Sequence, residues 1–174
     1  MNETRALFVG RFNPFHLGHL QVVQKILKNE DELIIAIGST QQSHTLTDPF
    51  TAGERVLMIR ECLKEANISL EKVFILTIPD IFRNSVWVSH LQSYCPPFNS
   101  VYTNSSLIRQ LFMDAGITVK SAGLFDRKHL KGSYIRQLML KGEEWQLLVP
   151  LAVFNVIKSI NGVQRLQNIV QGTD

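Results

Sequence analysis

The chain has 174 residues, a net charge of +3, 45% hydrophobic and 19% charged residues. That length suffices for one domain with a sizeable core, and the composition is that of a globular chain rather than a disordered or fibrous one. The small positive excess suits an anionic ligand but does not argue for nucleic acid, and no apolar run approaches the length of a membrane span. No signal peptide is expected. Cys62 and Cys95 form no C-x-x-C pair and read as two reduced thiols of a cytoplasmic protein, not as a disulfide or a zinc site.

In chain order, residues 5–10 form an apolar run that reads as a first strand, and 17–29 as an amphipathic helix with Leu20, Val23 and Leu27 on one face. Between them lies Gly10-Arg11-Phe12-Asn13-Pro14-Phe15-His16-Leu17-Gly18-His19. A strand-to-helix turn offers free backbone N–H groups and the positive end of a helix dipole, which favour a phosphate. Gly10, Pro14 and Gly18 suit a sharp turn that a ligand can approach closely. No Lys-Ser/Thr pair follows Gly18 and there is no G-x-G-x-x-G, so this is neither a Walker loop nor a dinucleotide fingerprint.

Residues 33–37 form a continuous apolar run ending at Gly38, as expected of a strand covered on both faces. The polar stretch 39–50 is long for a plain connection and contains Ser39, Ser43 and His44. His44 is a weaker candidate for phosphate or ribose contact. Thr51-Ala52-Gly53-Glu54 is a capping box opening a second helix that fades by Asn67. In that helix Arg55 reads either as a surface charge or as an anchor for the preceding loop. A third strand spans 73–78 and stops at Pro79-Asp80. A short helix follows over 86–94, then strands at 100–103 and 117–119 flank a helix capped by Ser105 or Ser106.

Residues 121–131 form a polar, basic loop, and Lys120, Arg127, Lys128, His129 and Lys131 are clustered there. Their position suggests cover for a phosphate chain. A helix then runs over about 133–140, capped by Ser133. Pro150 suits the first turn of the next helix, and Gly162 its C-terminal cap, before a last short helix. The alternation predicts an α/β, Rossmann-like, doubly wound parallel sheet of about five strands, with helices on both faces and a helical segment at about 144–170. One domain over 1–174 is expected. The motifs fall just after predicted strands, and so on one edge of the sheet, where such folds bind ligands.

His16-Leu17-Gly18-His19 is an H-x-G-H signature. With GSTQQSHTLTDPFTAGER, PDIFRNSVWVSH and GSYIR in the same order, nearly the whole chain resembles the archaeal-type nicotinamide-mononucleotide (NMN) adenylyltransferases of the H-x-G-H nucleotidyltransferase superfamily. The resemblance implies transfer of AMP from ATP to NMN, giving NAD⁺ and pyrophosphate. It implies Mg²⁺ with the ATP, no tightly bound organic cofactor, and a homo-oligomer, a hexamer by likeness. Nucleic acid and membrane are not expected partners.

Such a reaction needs charge neutralisation and alignment more than a protein nucleophile, because the attacking phosphate is already an anion. Arg11, His16, His19 and Arg136 are the candidate catalytic residues, with Gly10, Gly38 and Ser133 joining them around ATP. In the family the last segment reads S-x-T-x-x-R; here Lys131 stands at the first Ser position and Ser133 at the Thr position. The resemblance assigns NMN to Asp80, Asn84 and Trp87. An indole can stack on a pyridinium ring, and Asn84 can both donate to and accept from a carboxamide. Another H-x-G-H transferase, such as a phosphopantetheine adenylyltransferase or a cytidylyltransferase, is the nearest alternative. A non-catalytic NAD⁺ or ATP sensor is the alternative from another class.

Overall fold

The computed structural model describes residues 4–123 and 129–172. Five strands form one parallel sheet: β1 (Arg5–Gly10), β2 (Glu32–Ile37), β3 (Val73–Thr77), β4 (Ser100–Tyr102) and β5 (Thr118–Lys120), in the order β3-β2-β1-β4-β5. The chain grows outward from β1 through β2 and β3, then returns to the other side of β1 with β4. The connections that leave the C-terminal ends of β1 and β4 therefore run to opposite faces of the sheet, leaving between them the crevice where open α/β sheets take ligands.

Alternation along each strand sorts side chains to two faces. Phe8, Leu33, Ile35 and Ile37 point to one core, with α1 (Leu17–Leu27), α2 (Ala52–Glu65), α5 (Gly132–Lys141), α6 (Leu151–Ser159) and α7 (Gly162–Gln171) packed on it. Leu7, Ile34, Ala36 and Val101 point to the other, under α3 (Trp87–Tyr94) and α4 (Ser106–Asp114). Every side chain of 33–37 is fully buried, which is why β2 reads as an unbroken apolar run. Each such Leu or Ile contributes about 1.5–3 kcal/mol by leaving water.

The Thr51–Glu54 capping box forms as expected: Glu54 N–H donates to Thr51 Oγ1 at 3.2 Å, and Thr51 N–H to Glu54 Oε2 at 2.9 Å. Glu54 has a second task. Arg165 of α7 donates to both its oxygens at 2.7 Å and also to Pro49 O at 3.2 Å. This fork ties the C-terminal helix to the loop between β2 and α2.

The expectation for Gly162 is corrected. Helix α6 ends at Ser159, Asn161 takes the left-handed conformation at φ 52°, and Gly162 opens α7. Asn tolerates that region better than other side chains with a Cβ. Gly162 is needed for space, since a Cβ there would stand 2.7 Å from the Phe50 ring. The fifth strand lies one residue later than expected, at Thr118–Lys120.

Candidate active site

The turn after β1 carries the densest chemistry. His16 is extended at φ −137° and opens α1, whose first turn holds no acidic residue to occupy its positive end. The backbone N–H of His16 donates to His19 Nδ1 at 3.2 Å, and the two imidazoles stack with centroids 3.5 Å apart. Phe12 meets His19 edge-on at 4.8 Å. Burial pushes the His16 pKa down to about 4. Burial, then the neighbouring His16, pulls His19 well below its ordinary value. Both rings are therefore neutral at pH 7 and act as hydrogen-bond donors or acceptors. His16 Nδ1 is buried with no hydrogen-bond partner among the described residues, and the His16 side chain stands against the backbone N–H of His19 in capping-box geometry.

The cation set is Arg11, Arg136 and Lys131. Arg11 is 57% exposed in its side chain and stands 3.6 Å from Asp48 Oδ2. Arg136 is buried; its Nε donates to Leu46 O at 2.9 Å and Nη1 to Asn13 O at 2.6 Å. Nε and Nη1 are thus spent on protein carbonyls, and Nη2 donates to no described residue. Gly132 makes this possible: a Cβ there would lie 3.0 Å from Asn13 O and 3.3 Å from Arg136 Nη1.

Arg11, His16, His19, Lys131, Ser133 and Arg136 all line one cavity of about 440 Å³. The expectation that Ser133 caps α5 is corrected. The helix starts at Gly132, its cap position is Lys131, and no side chain caps it. Ser133 is instead exposed in the first turn, where its hydroxyl faces no competing helix bond. Gly10 does not line this cavity. A Cβ there would collide with the Phe12 ring at 2.8 Å, so the glycine serves packing inside the turn. Phe12 itself sits at φ 51°. Gly38 does not line this cavity; it braces the turn, donating to Gly10 O at 2.9 Å. Of the basic cluster, Arg127 and Lys128 lie outside the described residues.

The cavity continues past Ser105, which caps α4 as one of the two expected candidates, and past residues that the sequence did not single out: Thr103 and Asn104 after β4, Ile108 on α4, and Ala122 and Gly123 after β5. Apart from Ile108, this end is lined by polar and small residues. Its members are backbone and short side chains with no motif, so only the crevice position after predicted strands pointed there.

Asp80, Asn84 and Trp87 lie beyond the end of β3, outside that cavity's lining. Asp80 accepts a hydrogen bond from Ser39 Oγ, and its N–H donates to Gln41 Oε1 at 3.0 Å. Asn84 is exposed in a one-turn 3-10 helix, Asn84–Val86. Trp87 is half-buried and meets Phe112 edge-on at 5.9 Å, so it belongs partly to the core. His44, at φ 57°, bonds Ser43 Oγ at 3.0 Å and faces solvent.

Arg55 is not a surface charge. It is fully buried and donates to Arg11 O at 3.0 Å, Gly38 O at 2.8 Å and Ser39 O at 3.2 Å. It joins the turn after β1 to the turn after β2, and through Ser39 reaches Asp80. The sequence offered the anchor as one of two readings, and the structure selects it.

A parallel sheet whose central crevice is lined by paired neutral histidines, arginines and a helix start has the form of a nucleotidyltransferase. Residues 7–138 match the model of the cytidylyltransferase-like family. The chain is 50% identical over 168 residues to a nicotinamide-nucleotide adenylyltransferase of Archaeoglobus fulgidus, covering 95% of this chain and 97% of that one. It is 45% identical over 171 residues to the enzyme of the same name from Saccharolobus solfataricus, covering 98% and 99%. Its fold is like that of a bifunctional NMN adenylyltransferase/ADP ribose pyrophosphatase from Francisella tularensis complexed with AMP and a manganese ion. There the TM-score is 0.78 at 23% identity, over 95% of this chain and about half (52%) of that one. The chain belongs to the cytidylyltransferase-like family, and within it to the nicotinamide-nucleotide adenylyltransferases.

Proposed function

We propose that this chain transfers AMP from ATP to nicotinamide mononucleotide, releasing pyrophosphate and forming NAD⁺. The observation that carries the reading is the convergence of Arg11, His16, His19 and Arg136 on one crevice beside a helix start. The NMN phosphate oxygen attacks the α-phosphorus of ATP in line with the departing pyrophosphate, with no covalent enzyme intermediate. His19 donates from Nε2 to the α-phosphate as charge develops. Arg11 and Arg136 hold the phosphate chain, His16 and Ser133 add hydrogen bonds, and Lys131 adds a mobile cation. Such preorganised donors do most of the work in phosphoryl-type transfers. The adenosine occupies the Thr103–Ser105 and Ala122–Gly123 end. NMN approaches from the Asp80, Asn84 and Trp87 side, and Gly38 acts by holding the two turns together.

Among the described residues no group of three or more His, Cys, Asp or Glu is disposed to hold a metal. The divalent cation, Mg²⁺ in this reading, enters on the phosphate oxygens of ATP as part of the substrate. No tightly bound organic cofactor is required. One domain over 1–174 performs the reaction, and α7 braces the site through Arg165. Self-association, as a hexamer, is part of the same reading: Leu147 and Leu151, 71% and 63% exposed, are apolar surface that a second copy would cover. No described helix is long and apolar enough to cross a membrane. Free Cys62 and Cys95 suit a cytoplasmic location.

The test is pyrophosphate release with ATP and Mg²⁺, offering NMN, nicotinic-acid mononucleotide or phosphopantetheine as acceptor in separate reactions. Release with NMN, with NAD⁺ formed in step, is the expected result. Release with phosphopantetheine alone would overturn the assignment of Asn84 and Trp87.

A further inference from the structure

Asp48 carries the wrong charge for a phosphate site, yet it lies against one. Its side chain is only 6% exposed. Oδ1 accepts from Asn13 Nδ2 at 3.1 Å, and Oδ2 stands 3.6 Å from Arg11 Nη1. Its backbone is pinned by Thr45, whose Oγ1 accepts from Asp48 N–H at 3.0 Å and whose own N–H donates to Asp48 O at 3.3 Å. The carboxylate also attracts Arg55 and Arg136, whereas Arg11 repels both. Asp48 is therefore the shared counter-charge of Arg11, Arg55 and Arg136, and it does not itself line the cavity.

The geometry of the Arg11 pair is informative. A guanidinium fully committed to a carboxylate sits at about 2.7–2.9 Å. At 3.6 Å, with most of the Arg11 side chain in solvent, the pair is loose. A phosphate offering two oxygens at the proper distance outcompetes it. Asn13 strengthens the placement: its Oδ1 accepts from Phe50 N–H at 3.3 Å and its carbonyl accepts from Arg136. The same residue thus fixes Asp48 and the second phosphate clamp.

We propose that Asp48 is a positioning residue for adenylyl transfer, holding Arg11 at the cavity wall in reserve and releasing it to the phosphate chain. This rests on the phosphate-binding reading of the cavity. Asp48 disfavours ATP in the ground state by its charge, and favours turnover by orienting the cation that meets the transferring phosphate.

The experiment is Asp48→Asn, which keeps the shape and the acceptor for Asn13 and removes the charge. With ATP and NMN as substrates, kcat is expected to fall about 10-fold while KM for ATP falls or stays level. In an Arg11→Gln background, which removes the cation, the same change should cost less than about 2-fold, because two residues acting on one contact do not add. An unchanged kcat, a rise in KM for ATP, or a full further loss in the Arg11→Gln background would overturn the proposal. If Asp48→Asn melts too low to assay, Thr45→Val, which removes the hydroxyl that accepts from Asp48 N–H and keeps the charge, gives the second reading. A fall in kcat at constant KM supports the proposal, and wild-type kcat overturns it. Wild-type protein that makes no NAD⁺ would instead defeat the underlying reading, so the two failures are distinct.

Discussion

His16 N–H donates to Nδ1 of His19 at 3.2 Å while the two rings stack at 3.5 Å. Nδ1 of His19 is therefore an acceptor, and its neutral ring must carry the proton on Nε2. One backbone bond fixes the tautomer that a phosphate oxygen needs. It also explains the three-residue spacing of the two histidines, since residue 19 must reach back over the first turn to the N–H of residue 16.

His19→Ala should lower kcat by at least ~10²-fold, the usual cost of removing one preorganised donor at developing charge. His19→Asn, which retains a donor, should recover part of the loss. Steady-state kinetics with saturating ATP and NMN decides it. Equal rates for wild type and alanine variant would take His19 out of the mechanism.

The stacked pair also predicts a pH dependence of stability. In the unfolded chain both histidines titrate near 6.5, whereas in the folded protein His16 titrates at about 4 and His19 also well below 6.5. Between those values the unfolded chain binds more protons, so stability is full above pH 6.5 and is lost as pH falls toward 4. His16 alone accounts for about 3 kcal/mol across that window. Denaturant melts at pH 7.5 and pH 4.5 should differ, and His16→Gln should shrink the difference. A pH-independent midpoint would mean the rings are hydrated.

Trp87→Ala should raise KM for NMN more than KM for ATP. Because Trp87 also meets Phe112 edge-on at 5.9 Å, it should lower the melting temperature as well. Trp87→Phe separates the roles, keeping an apolar ring in place and restoring more of the stability than of the NMN affinity. Equal losses for both substrates would assign Trp87 to the core alone.

Arg55→Met should destabilise the protein strongly. It leaves the carbonyls of Arg11, Gly38 and Ser39 without their donor, at about 1–3 kcal/mol for each one that water cannot reach. Arg55→Lys supplies charge but no fork and should restore little. Thermal melts of both variants check this. A midpoint within a degree or two of wild type would show that the carbonyls find other donors.

Much of this was readable in the chain because burial and periodicity coincide. β2 is covered on both faces, so residues 33–37 have no polar interruption. The histidines stand out because their turn follows a buried strand. Asp48 and Arg55 were harder, for a common reason: charged residues are ordinarily solvated, and nothing local reveals that Asp48 lies beside three arginines or that Arg55 faces three carbonyls. The start of α5 was displaced because Ser133 has the chemistry of a cap, while the contact of Gly132 with Asn13, 119 positions earlier, sets where the helix begins. Asn161 takes the left-handed position expected of Gly162, and Gly162 opens α7 because close packing on Phe50 is a tertiary demand that outranks local turn preference.

Adenylyl transfer to NMN in the crevice between β1 and β4 is direct in the mechanism proposed above. The most direct measurement is a reaction of α-³²P-labelled ATP with NMN and Mg²⁺, following label in NAD⁺ and on protein alongside unlabelled pyrophosphate. Direct transfer gives labelled NAD⁺ equal to pyrophosphate at every time point, no label retained on denatured protein, and near-complete loss of both products in Arg11→Ala. Label on the protein that chases into NAD⁺ when NMN is added would contradict it.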